Sequence, residues 1–217
     1  MKVDTRKLRD IQRKIAREVS TADELKLSEI KTVAGFDVTY FDDKILCAAI
    51  VYDIEKKEIT ERAHTITKQP MQYIPGYRAF RDGSAILQTY YGLESEPQVL
   101  MIMGHGISHP LKCGLATFVG VELGKPAIGV AKKILAGEIE DNKIKILNET
   151  RGELIKTKEH AKPLYISVGH MVSLKTATEL SKQLNIPPHK LPEPLHLASR
   201  HASMVSKKER ENLPKDI

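Results

Sequence analysis

Between residues 99 and 130 the chain changes its hydrophobic period twice. Val99–Met103 is an unbroken apolar run, VLMIM, that stops at Gly104-His105-Gly106. Leu111–Leu123 follows with helical spacing, and Ala127–Val130 is a second short apolar run entered through Lys125-Pro126. A short run without polar alternation suits a strand buried on both faces. Strand, helix and strand in that order predict parallel pairing through a crossover helix. Such sheets bind ligands beyond the C-terminal ends of their parallel strands, which brings Gly104–Pro110 and Lys132-Lys133 to one edge.

The flanking sequence enlarges this unit. Thr32–Tyr40 and Ile45–Ile54, joined by Asp42-Asp43, and Glu58–Thr67 predict three neighbouring strands, an antiparallel meander. Leu8, Ile11, Ile15 and Val19 predict an amphipathic first helix with a basic outer face. Further helices are expected over Tyr77–Tyr91, Leu174–Leu184 and Leu195–Lys208, and a strand over Leu164–Val168. The charged segment 138–160 is expected to form an exposed hairpin, and the tail from Lys207 to fray. The fold class is α/β with a mixed central sheet and helices on both sides. At 217 residues the length suits one domain, 1–217, with a real core.

Composition narrows the partners. A net charge of +6 favours a polyanion such as nucleic acid, or else describes a lysine-rich solvated surface. Neither Cys47 nor Cys113 belongs to a CxxC pair, so buried free thiols in a reducing cytoplasm are expected and a cysteine zinc site is not. No apolar stretch has the roughly 18–20 residues of a membrane span, and the charged N-terminal segment lacks the apolar core of a signal peptide.

Several side chains could carry chemistry. Asp37 interrupts GFDVTY, and an acid in an apolar strand is costly unless it meets a cation or donors; an outward, solvated position is the alternative. Asp82 stands beside Arg81 on a helix, His105 and His109 frame the loop after residue 103, and His170 follows Gly169. Lys132 ends a strand, where an ammonium suits a phosphate or simply water.

GFDVTY (35–40), YIPGYRAFRDG (73–83), GHGISHPLKCGLATFVG (104–120), PAIGVAKKILAG (126–137), ISVGH (166–170) and KLPEPLHLA (190–198) together resemble the endonuclease V family, from about residue 30 to 205. The resemblance implies an RNase H-like fold. It also implies Mg²⁺-dependent hydrolysis, with Mn²⁺ able to substitute, of a phosphodiester 3′ to a deaminated purine such as inosine, in DNA or RNA. Single-stranded or lesion-containing nucleic acid is the implied partner, repair the implied context, and a monomer without membrane attachment the implied state. Carried over position by position, Asp37 and Asp82 match the metal-binding acids, and His109 and Lys132 match positions near the scissile phosphate. Tyr73 matches the wedge that fills the gap left by an extruded base, Pro75 and Gly76 its turn, and Gly106 a point of close backbone approach.

Four positions depart from the family pattern. Asp82 is one methylene shorter than the family's glutamate, Met103 stands where a carboxylate opens a DG turn, and Phe118 and Ser199 replace histidines. A thioether is a poor ligand for so hard an ion as magnesium. Near a surface, one carboxylate–cation contact at about 4 Å is worth roughly 4 kcal/mol before desolvation, so loss of one should weaken metal binding severely. Two functions follow: an inosine-directed nuclease with a reduced acidic set, or a catalytically silent member that binds nucleic acid through its basic surface and the Tyr73 loop. Acid–base chemistry on His105, His109 or His170 is a third.

Overall fold

The structure is a computed structural model and describes residues 3–211. Asp4 caps the first helix, α1 (Thr5–Glu18), its carboxylate accepting from the Arg6 and Lys7 amides at 3.0 and 3.4 Å. After a 3₁₀ turn at Leu27–Glu29 the meander forms as expected: β1 (Thr32–Phe41), β2 (Lys44–Asp53) and β3 (Glu58–Lys68), paired antiparallel. Helix α2 (Arg78–Tyr91) leads to β4 (Val99–Met103), α3 (Leu115–Leu123) and β5 (Ala127–Ala131). The β1–β4 and β4–β5 pairs are parallel, so the crossover expected from the apolar runs is present.

The charged segment departs from expectation. It forms three strands, β6 (Glu138–Glu140), β7 (Lys143–Ile146) and β8 (Glu149–Ile155), and β8 pairs antiparallel with β9 (Leu164–His170). Ile144, Ile146 and Ile155 are buried, so these apolar residues tie the segment to the core while most of its charges face water. Among the described residues the sheet therefore has nine strands, in the order β3-β2-β1-β4-β5-β9-β8-β7-β6. Helices α4 (Leu174–Gln183) and α5 (Glu193–Glu211) complete the described residues. α5 continues through residues expected to fray, as far as Glu211.

Helices cover both faces. α2 and α3 pack on Phe36, Val38, Cys47, Leu100 and Ile102, while α4 and α5 pack on Val33, Met101, Ile128 and Ile166. This three-layer arrangement around a mixed sheet is the RNase H-like fold. Strand alternation decides which face each candidate residue meets. A Cβ at Gly35 would lie 2.3 Å from the Pro194 carbonyl, so Gly35 faces α5 and Asp37, two residues on, shares that face. Tyr40 lies on the α2 face with Phe36 and Val38.

Candidate functional site

The strand ends and the loop before α2 enclose a cavity of about 140 Å³, lined among others by Tyr73, Arg78, His105, His109 and Leu115. A larger, open groove of about 760 Å³ runs outside it past Asp42, Gln69 and Tyr73. Tyr73 stands between the two with 55% of its surface exposed. Pro75 is exposed, and Gly76 holds φ at +81°, a left-handed conformation that turns the chain back into α2.

One wall of the cavity is charged. Asp82 is fully buried on α2. Its Oδ2 accepts from Arg78 Nε at 2.5 Å and Tyr40 Oη at 2.6 Å, and its Oδ1 from Arg81 Nε at 2.8 Å. Arg81 Nη2 also donates to the Tyr40 hydroxyl, and its guanidinium lies over the Tyr40 and Tyr73 rings at 4.1 and 4.9 Å from their centroids. Burial raises the Tyr40 phenol above its ordinary range, so it stays protonated and donates. Burial alone would lower Arg78, but the adjoining Asp82 carboxylate outweighs it and holds the guanidinium pKa above its usual value. Arg78 Nη1 also donates to the Met103 carbonyl at 2.9 Å. The arginine thus fastens α2 to the end of β4.

The other wall is neutral. The Gly76 carbonyl accepts from Gln12 Nε2 on α1 at 2.7 Å and pairs with His109 Nε2 at 2.9 Å. His109 Nδ1 accepts from the Leu111 amide at 3.1 Å, which makes Nε2 the protonated nitrogen. Burial pushes His109 down to about 4, with the Gly76 carbonyl pulling the other way and His105 and Arg151 adding to the fall. Both ring nitrogens are engaged, so this imidazole holds the Tyr73–Gly76 loop. Arg151 on β8, itself buried, donates to the His109 and Pro110 carbonyls at 3.2 and 3.1 Å. Gln12, Arg78 and Arg151 are site-building residues that sequence reasoning missed.

The remaining candidates are dispersed. Gly106 belongs to packing: a Cβ there would lie 1.9 Å from the Val168 carbonyl oxygen, and its amide donates to Ser167 Oγ at 2.8 Å. His105 Nε2 contacts the Lys133 carbonyl at 2.9 Å, which joins the two loop edges as the topology predicted. Lys132 is exposed at the end of β5. Phe118 packs edge-on against Phe80 and abuts Gly83, an apolar seam between α3 and α2. Asp37, on the α5 side, accepts only from its neighbour's amide, Val38 N, at 2.9 Å among the described residues. His201 on α5 stands edge-on to His64, 5.4 Å between centroids.

These residues do not fit a divalent cation. Magnesium wants several oxygens in an octahedral shell. A carboxylate has about four acceptor sites, and those of Asp82 are taken by two guanidinium groups and a phenol. Met103 is packed in the core beside Ile107 and Leu195. Among the described residues no three His, Cys, Asp or Glu side chains are grouped to hold an ion. Asp82, expected as a ligand, is engaged in ion pairs with Arg78 and Arg81.

Fold and site together define an RNase H-like protein with an exposed tyrosine, Tyr73, on the loop over a small cavity. The Endonuclease V family model matches residues 13–200. An Endonuclease V of Archaeoglobus fulgidus is 32% identical over 212 residues, covering 95% of this chain and 96% of the relative. That of Methanopyrus kandleri is 38% identical over 199 residues, covering 87% and 83%. Among solved structures, the Bacillus subtilis Endonuclease V superposes with a TM-score of 0.90 at 27% identity, covering 98% of this chain and 96% of that one. The Ciona intestinalis Endonuclease V, in complex with a 24mer DNA containing an inosine followed by a ribo-adenosine, gives 0.84 at 25% identity, covering 94% and 98%. The chain belongs to the endonuclease V family.

Proposed function

We propose that the protein binds DNA or RNA at a deaminated purine, in a single strand or where a duplex opens at the lesion, and does so without metal-dependent hydrolysis. The displaced base enters the Tyr73–His109 cavity, and the Tyr73 ring, backed by the Arg81 guanidinium, stands in the gap it leaves. The relative solved on an inosine-containing strand supports this ligand, and the net charge of +6 supports a polyanion. Exposed Lys132, at the end of β5, is offered to a strand phosphate. Asp37 is the one family acid left with capacity to accept a ligand's donor or a weakly held cation such as Mg²⁺ or Mn²⁺. The free, buried thiols of Cys47 and Cys113 suit a reducing cytoplasm.

The observation that carries the silent-binder reading is the saturation of Asp82 by Arg78, Arg81 and Tyr40. A metal competing for that carboxylate would have to displace a guanidinium from a fully buried partner, leaving an uncompensated charge behind. The test is a nicking assay on labelled strands bearing one inosine, with Mg²⁺ or Mn²⁺, beside an Asp37→Ala control. Salt-sensitive binding with no product above the control is expected. Metal-dependent product confined to the unmutated protein overturns the reading in favour of an active endonuclease.

A further inference from the structure

The cavity wall holds a cation that does not dissociate. Arg78 has five N–H donors. Nε is fixed on Asp82 and Nη1 on the Met103 carbonyl, two anchors on different elements, so the guanidinium plane is set by α2 and β4 together. Nη2 has no protein acceptor among the described residues, and it is not one of the buried polar atoms left without a partner. The side chain keeps 31% of its surface exposed, and Arg78 lines the 140 Å³ cavity. An arginine held at Nε and Nη1 presents Nη2 to whatever fills that space.

We propose that Arg78 is the nucleobase-reading residue of this cavity, and that its guanidinium, in place of a divalent ion, supplies the site's positive charge to a 6-oxopurine. The assignment rests on the preceding reading that a base enters here. The free Nη2 hydrogens meet an acceptor edge, O6 with N7 beside it, that guanine and hypoxanthine share and that arginine reads in nucleic acids. Adenine carries a donor at position 6 and would face those hydrogens with its own. The neutral wall leaves the acceptor no competing anion: His109 is closed off by its two internal bonds, and Asp82 is covered by its three donors. Leu115 and the Cβ of Ala79 supply apolar surface, which suits a flat ring better than a hydrated phosphate. Because the charge is covalently part of the chain, a chelator has nothing to remove.

The experiment measures equilibrium binding, by fluorescence anisotropy at fixed salt, of single strands identical except for hypoxanthine, guanine or adenine at one central position, each in EDTA and in Mg²⁺. The wild type is expected to prefer both 6-oxopurines over adenine by about tenfold, equally in the two buffers. The Arg78→Leu/Asp82→Asn double variant removes one charge of each sign and leaves Arg81 its bond to the Tyr40 hydroxyl. Its preference should fall to about twofold while general binding persists. Arg78→Lys keeps the charge without the fork and serves if the double variant does not fold; its preference should fall to about threefold. An unchanged preference in whichever variant folds overturns the assignment, as does a preference that exists only in Mg²⁺. An equal loss on all strands points to a phosphate contact and also overturns it. If the wild type binds no strand, the preceding reading itself falls and takes this one with it.

Discussion

The two walls of the cavity are held by opposite means. On the α2 side, two charged arginines, Arg78 and Arg81, and the neutral Tyr40 phenol surround the buried Asp82 carboxylate. On the α1 side, Gln12 and His109 converge on the Gly76 carbonyl with neutral N–H groups. A charged cluster tolerates no missing member, because whichever group remains is buried without its counter-charge. A neutral cluster loses only a hydrogen bond when one donor goes, yet it can be disrupted by a proton. The Tyr73 loop is therefore fixed by charge on one side and responsive to acid on the other.

Asp82→Ala should sharpen this contrast most. It leaves Arg78 and Arg81 facing each other across a space with no anion, and the expected loss is about 3–5 kcal/mol of folding stability in urea denaturation. Asp37→Ala, which removes an acid whose described protein contact is the adjacent Val38 amide, should cost about 1 kcal/mol or less. Similar losses at the two positions would break the comparison, since Asp82 would then be no more embedded in charge than Asp37.

That imbalance also bounds what the sequence could disclose. The apolar runs at 99–103 and 127–131 marked the parallel strands because a strand buried on both faces has few alternatives. Helix α3 begins at Leu115 rather than Leu111, because Lys112 takes a left-handed φ of +54° and Gly114 is extended, so the loop can pack its own amides onto Gly106 and His109. The exposed tyrosine of the loop before α2 was legible as part of a motif. The donors that build the walls were not. Arg78 reaches a carbonyl 25 positions away, Arg151 one 41 away and Gln12 one 64 away. A bond to a distant backbone oxygen leaves no trace in residue type, and on α1 the apolar spacing even pointed elsewhere: Ile11 is 43% exposed while Gln12 is 1% exposed.

Acid should separate the walls next. His109 titrates near its ordinary 6.5 when unfolded and at about 4 when folded, so between those values the unfolded chain binds the extra proton. Its contribution is complete above pH 6.5 and is lost as pH falls toward 4, roughly 3 kcal/mol over the window. His105 and His201 are also held low by burial, so the difference between wild type and His109→Gln isolates the residue. Urea midpoints measured from pH 7.5 to 4.5 should converge for the two proteins as acid is added. Parallel curves would mean that the neutral wall does not feel the proton.

The smallest effect tests how the neutral wall is shared. Gln12→Leu keeps the buried volume and removes one of two donors to the Gly76 carbonyl, with an expected cost of about 1 kcal/mol. His109 still satisfies that oxygen, so the loop should keep its φ of +81° at Gly76 and the slow exchange of the Tyr77 amide, which bonds Ile74 at 3.0 Å. Replacing both donors, Gln12→Leu with His109→Leu, strands the carbonyl in a part-buried site. The combined loss should then exceed the sum of the single losses by about 1 kcal/mol, and Tyr77 should exchange faster. Strict additivity would show that the two donors act independently, and the neutral wall would be two separate contacts that share an atom rather than one clasp.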